Sequence, residues 1–331
     1  MSIGQATVSL PTIDEVRAAA ESVYRLMLPT PQYRWPLLCE RLGTEVWVKH
    51  ENHTPIGAFK ARTAIVYAEE LLKRQPGTRG LIAATRGNHG QSVALAAQRK
   101  KLECVIVVPH GNSVAKNAAM RAQGAKLIEH GEDFQSALEH AKKLAAELGY
   151  HLVPPYHRDI VLGVATYWLE LFTAVPEIDV AYVPVGMGSG ICSAAAVRNA
   201  LRLKTKLVGV VSEQAQTYAL SLEQKKIVEA PAQTKLADGL ACRRGDEDAL
   251  QVMLENVDHI VRVSDAEVAA AMRAMFTDTH NVVEGAGASG LAAAAKEAPA
   301  LKGQRVALIA TGGNVDQDVF ARVLAETGTA A

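Results

Sequence analysis

Short, continuously apolar runs recur along this chain, separated by longer stretches with helical periodicity. Residues 81–84, 105–108, 126–128, 181–185, 207–211 and 306–310 are such runs. Residues 63–72, 92–99, 114–123, 134–148 and 191–201 place apolar side chains at helical spacing between or beside them. A strand that is apolar on both faces must be covered on both faces, so alternation of this kind predicts an α/β fold with open, mostly parallel sheets flanked by helices. Gly124 and Gly149 close two of the helices, as glycine does where the chain leaves a helix in the left-handed conformation. Upstream, Ile13, Val16, Ala19, Val23 and Leu26 mark an amphipathic helix over residues 12–27, stopped by Pro29-Thr30-Pro31, and residues 45–49 form a further strand.

The runs fall into two groups. Residues 81–153 make a compact small α/β unit, inserted into a larger lobe built from residues 1–80 and 154–331. A length of 331 residues is sufficient for two such lobes. The formal net charge is zero, which leaves no basic field for nucleic acid or for an anionic membrane surface. No apolar run approaches a membrane-spanning length, and the first ten residues lack the basic-then-apolar order of a signal peptide. Cys39, Cys104, Cys192 and Cys242 are scattered, without metal-like or redox spacing. A cytoplasmic protein with reduced thiols is expected. Only a short helix fits between the last strand and Ala331, so no appended regulatory domain is expected either.

Chemistry concentrates where strands end. Residues 51–62 read Glu-Asn-His-Thr-Pro-Ile-Gly-Ala-Phe-Lys-Ala-Arg, and they put Lys60 just after a strand and a turn, at the start of a helix. The helix dipole disfavours a positive charge there. A neutral or covalently bound amine resolves the conflict, and lysine suits carbonyl chemistry because burial readily lowers its pKa. Taken alone, a solvated surface lysine explains the position better. Gly186-Met187-Gly188-Ser189-Gly190 follows the strand at 181–185 and opens a helix. Backbone N–H groups and the helix dipole converge on an anion in such a turn. Its even glycine spacing is not the G-x-G-x-x-G of dinucleotide folds; a plain tight turn is the other option. Thr85-Arg86-Gly87-Asn88-His89-Gly90-Gln91 and Thr311-Gly312-Gly313-Asn314 are two further loops, each leaving the end of a buried strand.

Together these blocks resemble fold type II pyridoxal-phosphate enzymes, in the branch of threonine dehydratase and serine racemase. Residues 57–62 resemble that family's Ser-Phe-Lys-x-Arg-Gly, residues 84–91 its Ser-Ser-Gly-Asn-His-Ala-Gln, residues 186–190 its glycine loop, residues 284–288 its Glu-Pro-x-Gly-Ala, and residues 310–314 its Ser-Gly-Gly-Asn. The resemblance implies that Lys60 binds pyridoxal 5'-phosphate covalently, with Phe59 beside it. It implies that Gly186, Met187, Gly188, Ser189 and Gly190 hold the phosphate, and that Asn88, Glu284 and Thr311 face the ring. Thr85, Arg86, Gly87 and His89 would line the substrate. The implied activity is that of an ammonia-lyase acting on L-threonine or L-serine, with 3-hydroxyaspartate dehydration and cysteine-synthase-type β-replacement as alternatives. The implied assembly is a homodimer, and the partner a free amino acid.

The departures shape these expectations. Met187 and Ser189 replace two of the usual glycines, and Gly285 replaces the proline of the Glu-Pro block. The racemase branch has a serine where Arg86 stands, and an arginine is a poor proton shuttle but a good grip for a carboxylate. Residues 83–98 hold no acidic partner for Arg86. If Arg86 is buried, a carboxylate of the substrate or the cofactor phosphate is its expected counter-ion. The glutamate matching Glu213 helps bind a divalent cation in that branch, but the companion aspartate is Ala219 here, and no metal is expected.

Overall fold

The computed structural model describes residues 8–326. Among these residues ten strands form two sheets: β1 Gln32–Arg34, β2 Glu45–Lys49, β3 Gly80–Ala84, β4 Glu103–Val108, β5 Lys126–Glu129, β6 His151–Leu152, β7 Val180–Pro184, β8 Lys206–Ser212, β9 His259–Val263 and β10 Arg305–Ile309. The larger sheet runs β1-β2-β10-β7-β8-β9, and the smaller β5-β4-β3-β6. Every pairing is parallel except β1 with β2.

Side chains alternate across each sheet because the strand period is two. Val306 and Leu308 stand beside Val46 and Val48 on one side and beside Val180 and Tyr182 on the other. That face is covered by the helices Pro36–Leu42, Asp265–Thr279 and Gly285–Lys296. Ala307, Ile309, Ala181 and Val183 point the other way, onto the helices Ile13–Tyr24, Arg158–Ala174 and Ser189–Ala200. In the small sheet Leu81 and Ala83 face one core, and Ile82 and Ala84 the other, against the helix Phe134–Leu148. The helix Lys60–Arg74 lays Ala64, Ile65, Ala68 and Leu71 into the first of these two cores. One helix thus starts at the larger sheet and covers the smaller.

Local signals set several boundaries. Thr12 and Glu15 form a capping box at the first helix, and Gly149 ends the Phe134–Leu148 helix at φ 65°. Three helices begin earlier than apolar periodicity suggests, at Lys60, Asn88 and Ser189. The first residue of each is not apolar and stands at the site, so the periodic pattern starts later. The edge strands β1 and β9 lack a continuous apolar run and were not expected, nor were most helices after Ser212.

Candidate active site

Parallel sheets gather the ends of their strands on one side, and loops leaving those ends meet there. Here the loops after β2, β3, β7 and β10 carry Lys60, Asn88, the glycines and Thr311. The Lys60 loop is tied to the loop after β10 by backbone pairing. Phe59 N–H donates to the Thr311 carbonyl at 2.9 Å and Gly313 N–H to the Gly57 carbonyl at 2.9 Å. Gly57 has φ +66°, and a Cβ there would stand 3.0 Å from Asn314 Oδ1, so a side chain would both strain the turn and press on Asn314.

Lys60 is the first residue of its helix, and its Nζ has no hydrogen-bond or carboxylate partner among the described residues. The Phe59 ring lies beside it, with its centroid 5.1 Å from Nζ. Burial lowers the Lys60 pKa to about 8. Close by, both ring nitrogens of His89 are buried without a hydrogen-bond partner of good geometry. Burial, reinforced by the Lys60 charge, drives His89 down to about 3, so the ring stays neutral. The sign of the Lys60 shift gives a direct test on the cofactor-free protein. The neutral amine is the nucleophile, so its capture of an aromatic aldehyde should rise about tenfold from pH 7 to 9 and level off above, whereas an ordinary lysine would still be rising at pH 10. Rates followed by absorbance decide between the two.

Asn88 Nδ2 donates to Glu284 Oε1 at 2.8 Å, and Asn88 Oδ1 accepts from Asn314 Nδ2 at 2.8 Å. Asn314 Nδ2 also donates to the Ile56 carbonyl, closing a chain that joins the small lobe, the Lys60 loop and the helix at Gly285. Glu284 is 5% exposed, and its Oε2 has no partner. Burial, with Asp238 adding to it, raises its pKa against the opposing pull of Lys116 and Asn88. Thr311 is 7% exposed on the adjoining loop. In the glycine loop Gly188 has φ +96°, and a Cβ on Gly186 would stand 2.2 Å from the Gly239 carbonyl oxygen. The N–H groups of Gly186, Met187 and Gly188 donate to nothing among the described residues. Ser189 is buried at the first position of the following helix, and Gly190 comes next.

The remaining residues surround the start of the Asn88–Lys100 helix. Thr85 is buried and its hydroxyl accepts from Gly87 N–H at 3.1 Å. The Asn88 and His89 N–H groups, in the first turn, have no partner among the described residues. Arg86 is exposed, with no carboxylate within 4 Å among the described residues. Water solvates its charge, so it needs no buried counter-ion. Glu213 lies 3.8 Å from the ammonium of Lys296. One residue at the cleft escaped sequence reasoning, Lys116, which forms an ion pair across it with Asp238. Nothing local in the sequence announces that pair.

A lysine amine with a lowered pKa and a turn with free N–H groups, on loops that leave strand ends of one parallel sheet, suit a phosphorylated carbonyl cofactor. Comparison with known proteins names the class: the family described as Pyridoxal-phosphate dependent enzyme matches residues 23–312, and this chain belongs to it. Among relatives, the threonine dehydratase of Nicotiana attenuata is 33% identical over 91% of this chain, which spans 50% of that protein. The L-threo-3-hydroxyaspartate ammonia-lyase of Saccharomyces cerevisiae is 32% identical over 95% of this chain and 97% of its own length. The solved structure of maize serine racemase superposes with a TM-score of 0.88 at 27% identity, covering 95% of this chain and 97% of that one. The chain is therefore similar to ammonia-lyases and to racemases of one family. Among the described residues no helix is long and apolar enough to cross a membrane.

The residues present fit pyridoxal phosphate. The unpaired N–H groups of Gly186, Met187 and Gly188 suit a phosphate, the unpartnered Lys60 amine suits an aldehyde, and the orphaned Glu284 Oε2 is a polar atom that the chain itself leaves unsatisfied.

Proposed function

We propose that the protein is a pyridoxal-phosphate-dependent dehydratase, an ammonia-lyase converting L-threonine or L-serine to a 2-oxo acid and ammonia. The observation that carries this is the Lys60 amine, unpaired and with its pKa lowered to about 8, placed where the loops of both lobes meet. Lys60 would bind the cofactor covalently beside Phe59, and the glycine loop with Ser189 would hold its phosphate. Asn88, Glu284 and Thr311 would face its ring. The bound cofactor supplies an electron sink at the substrate's α-carbon. The free N–H groups of Asn88 and His89 at the helix start would orient the α-carboxylate. Lys60 Nζ, with a pKa near the working pH, would take the α-proton. Thr311 offers a neutral hydroxyl, which does not enforce a protonated ring nitrogen as a carboxylate would, and this favours prompt loss of the β-hydroxyl over reprotonation. The same reading makes the protein a cytoplasmic homodimer acting on a free amino acid.

Similarity to the yeast ammonia-lyase, over 97% of that protein's own length, favours a second reading, in which 3-hydroxyaspartate is dehydrated to oxaloacetate. The yeast relative is named for that substrate. A panel of threonine, serine and 3-hydroxyaspartate, followed by 2-oxo acid formation, tests both. Arg86→Ser should lower activity on 3-hydroxyaspartate roughly 10- to 150-fold more than on serine if Arg86 grips the second carboxylate. Equal losses on both would return the choice to threonine or serine, and no 2-oxo acid from any of the three would end the dehydratase reading.

A further inference from the structure

The helix Val114–Ala122 of the small lobe starts at the cleft and touches the large lobe twice. Ser113 Oγ donates to Asp316 Oδ1 at 2.5 Å, and Lys116 Nζ donates to Asp238 Oδ2 at 2.5 Å. Asp238 opens the turn Asp238–Leu240, and the next residue, Gly239, is the one whose carbonyl presses on Gly186 of the glycine loop. At its other end the Lys116 stem lies over Gly87, where an added Cβ would meet Cδ at 3.0 Å and Nζ at 3.7 Å. The ammonium therefore stands between the anion loop and the free N–H groups that begin the Asn88–Lys100 helix.

The two members of the pair are unequal. The Lys116 side chain is 13% exposed and that of Asp238 is 41% exposed. Burial works against the Lys116 charge, and Asp238, Glu284 and Asp316 outweigh it, so the pKa is raised and the ammonium is held. A cation in that position must keep an anionic partner, because losing one leaves a poorly solvated charge. Asp238 is under no such constraint, since water reaches its carboxylate. The partner can be exchanged; the cation cannot be left alone.

We propose that Lys116 is a specificity-determining residue, held in reserve by Asp238, whose ammonium passes to the second carboxylate of a dicarboxylic amino-acid substrate seated with its α-carboxylate at the Asn88 helix start. The inference rests on the dehydratase reading and sharpens it. With threonine or serine the Lys116–Asp238 bridge stays intact. With a dicarboxylate one charge-assisted contact replaces another, and Asp238 turns to water.

Binding of succinate and of butyrate to the cofactor-loaded enzyme separates the second carboxylate from the first, because neither ligand carries the amine needed to react. Lys116→Met should weaken succinate about 10-fold or more and butyrate less than about 2-fold. Lys116→Arg should restore most of the loss. Asp238→Asn should tighten succinate selectively, since the competing carboxylate is gone. Equal weakening of both ligands in Lys116→Met, or no weakening, overturns the proposal. If Lys116→Met does not fold, Asp238→Asn decides, and absence of selective tightening overturns it. Formation of 2-oxo acid from serine by the parent enzyme is measured alongside. Its absence removes the dehydratase reading and leaves the comparison of the two ligands intact.

Discussion

Lys60→Ala should give a folded protein that no longer shows the absorbance of lysine-bound cofactor and no longer turns over threonine, serine or 3-hydroxyaspartate at a measurable rate. Removing a positioned proton-transfer group alone costs on the order of 10²- to 10⁴-fold, and the covalent anchor is lost with it. The fold should survive because Nζ makes no hydrogen bond or ion pair among the described residues. Stability of the cofactor-free protein should even rise at neutral pH. The folded-state pKa, about 8, lies below the ordinary value of 10.5, so between these values the unfolded chain binds more protons and stability increases with pH. Below pH 8 the full cost of the charged amine is present, and above 10.5 it has gone. Lys60→Ala removes that cost, so the variant's advantage should be largest at pH 7 and vanish by about pH 10.5. Parent-level turnover in the variant would show that Lys60 is not the reacting lysine. A variant that unfolds at neutral pH would show that the amine holds structure after all.

Arg62→Met should cost roughly 3–5 kcal/mol of folding stability, the largest loss expected from a residue that touches neither cofactor nor substrate. Arg62 and Glu51 are both 0% exposed. The guanidinium donates to Glu51 from Nε at 2.7 Å and Nη2 at 3.0 Å, and to Glu170 from Nη1 at 2.6 Å and Nη2 at 2.9 Å. Its Nη1 also donates to the Thr166 hydroxyl at 3.0 Å. Lys49, itself 0% exposed, completes the cluster by donating to Glu170 Oε2 and to the Thr30 carbonyl, each at 2.6 Å. Two buried cations thus balance two buried carboxylates. Deleting Arg62 leaves two anions facing one lysine in a medium that solvates neither. Arg62→Lys should recover only part of the loss, because one ammonium cannot fork between two carboxylates. Adding Glu51→Gln to Arg62→Met should recover more, by restoring charge balance. Urea unfolding of the three variants measures this, and a loss below about 1 kcal/mol in Arg62→Met would mean that water enters the cluster. The consequence reaches the site. Arg62 lies in the first turn of the helix that presents Lys60, and the Arg158–Ala174 helix is pressed against it so closely that a Cβ at Gly163 would stand 2.5 Å from the Arg62 carbonyl oxygen.

Much of this architecture is legible in the sequence, for reasons that differ between regions. Val105–Val108 and Val306–Ile309 read as central strands because both their faces are buried, and burial on both faces leaves an unbroken apolar run. The edge strands β1 and β9 are half exposed, so they leave no such run. Lys60, Asn88, Gly188 and Thr311 stand out because each follows a strand, where turn-forming residues interrupt the apolar pattern. The exposure of Arg86 was not legible. Whether a side chain on a loop turns inward depends on what the opposite lobe places against it.

The sequence by itself determined the order of the central strands, the parallel character of the sheets, and the loops at which chemistry could gather. These arise from periodicities and turn residues that act over a few positions. Only the tertiary structure decided which of those loops' side chains meet. Arg62 finds Glu170 108 residues away, Lys116 finds Asp238 122 residues away, and Asn88 finds Glu284 196 residues away. Each pairing joins segments that the fold brings together from distant parts of the chain. A charge chooses its partner there by distance in space and exclusion of water, neither of which has a local trace in the chain.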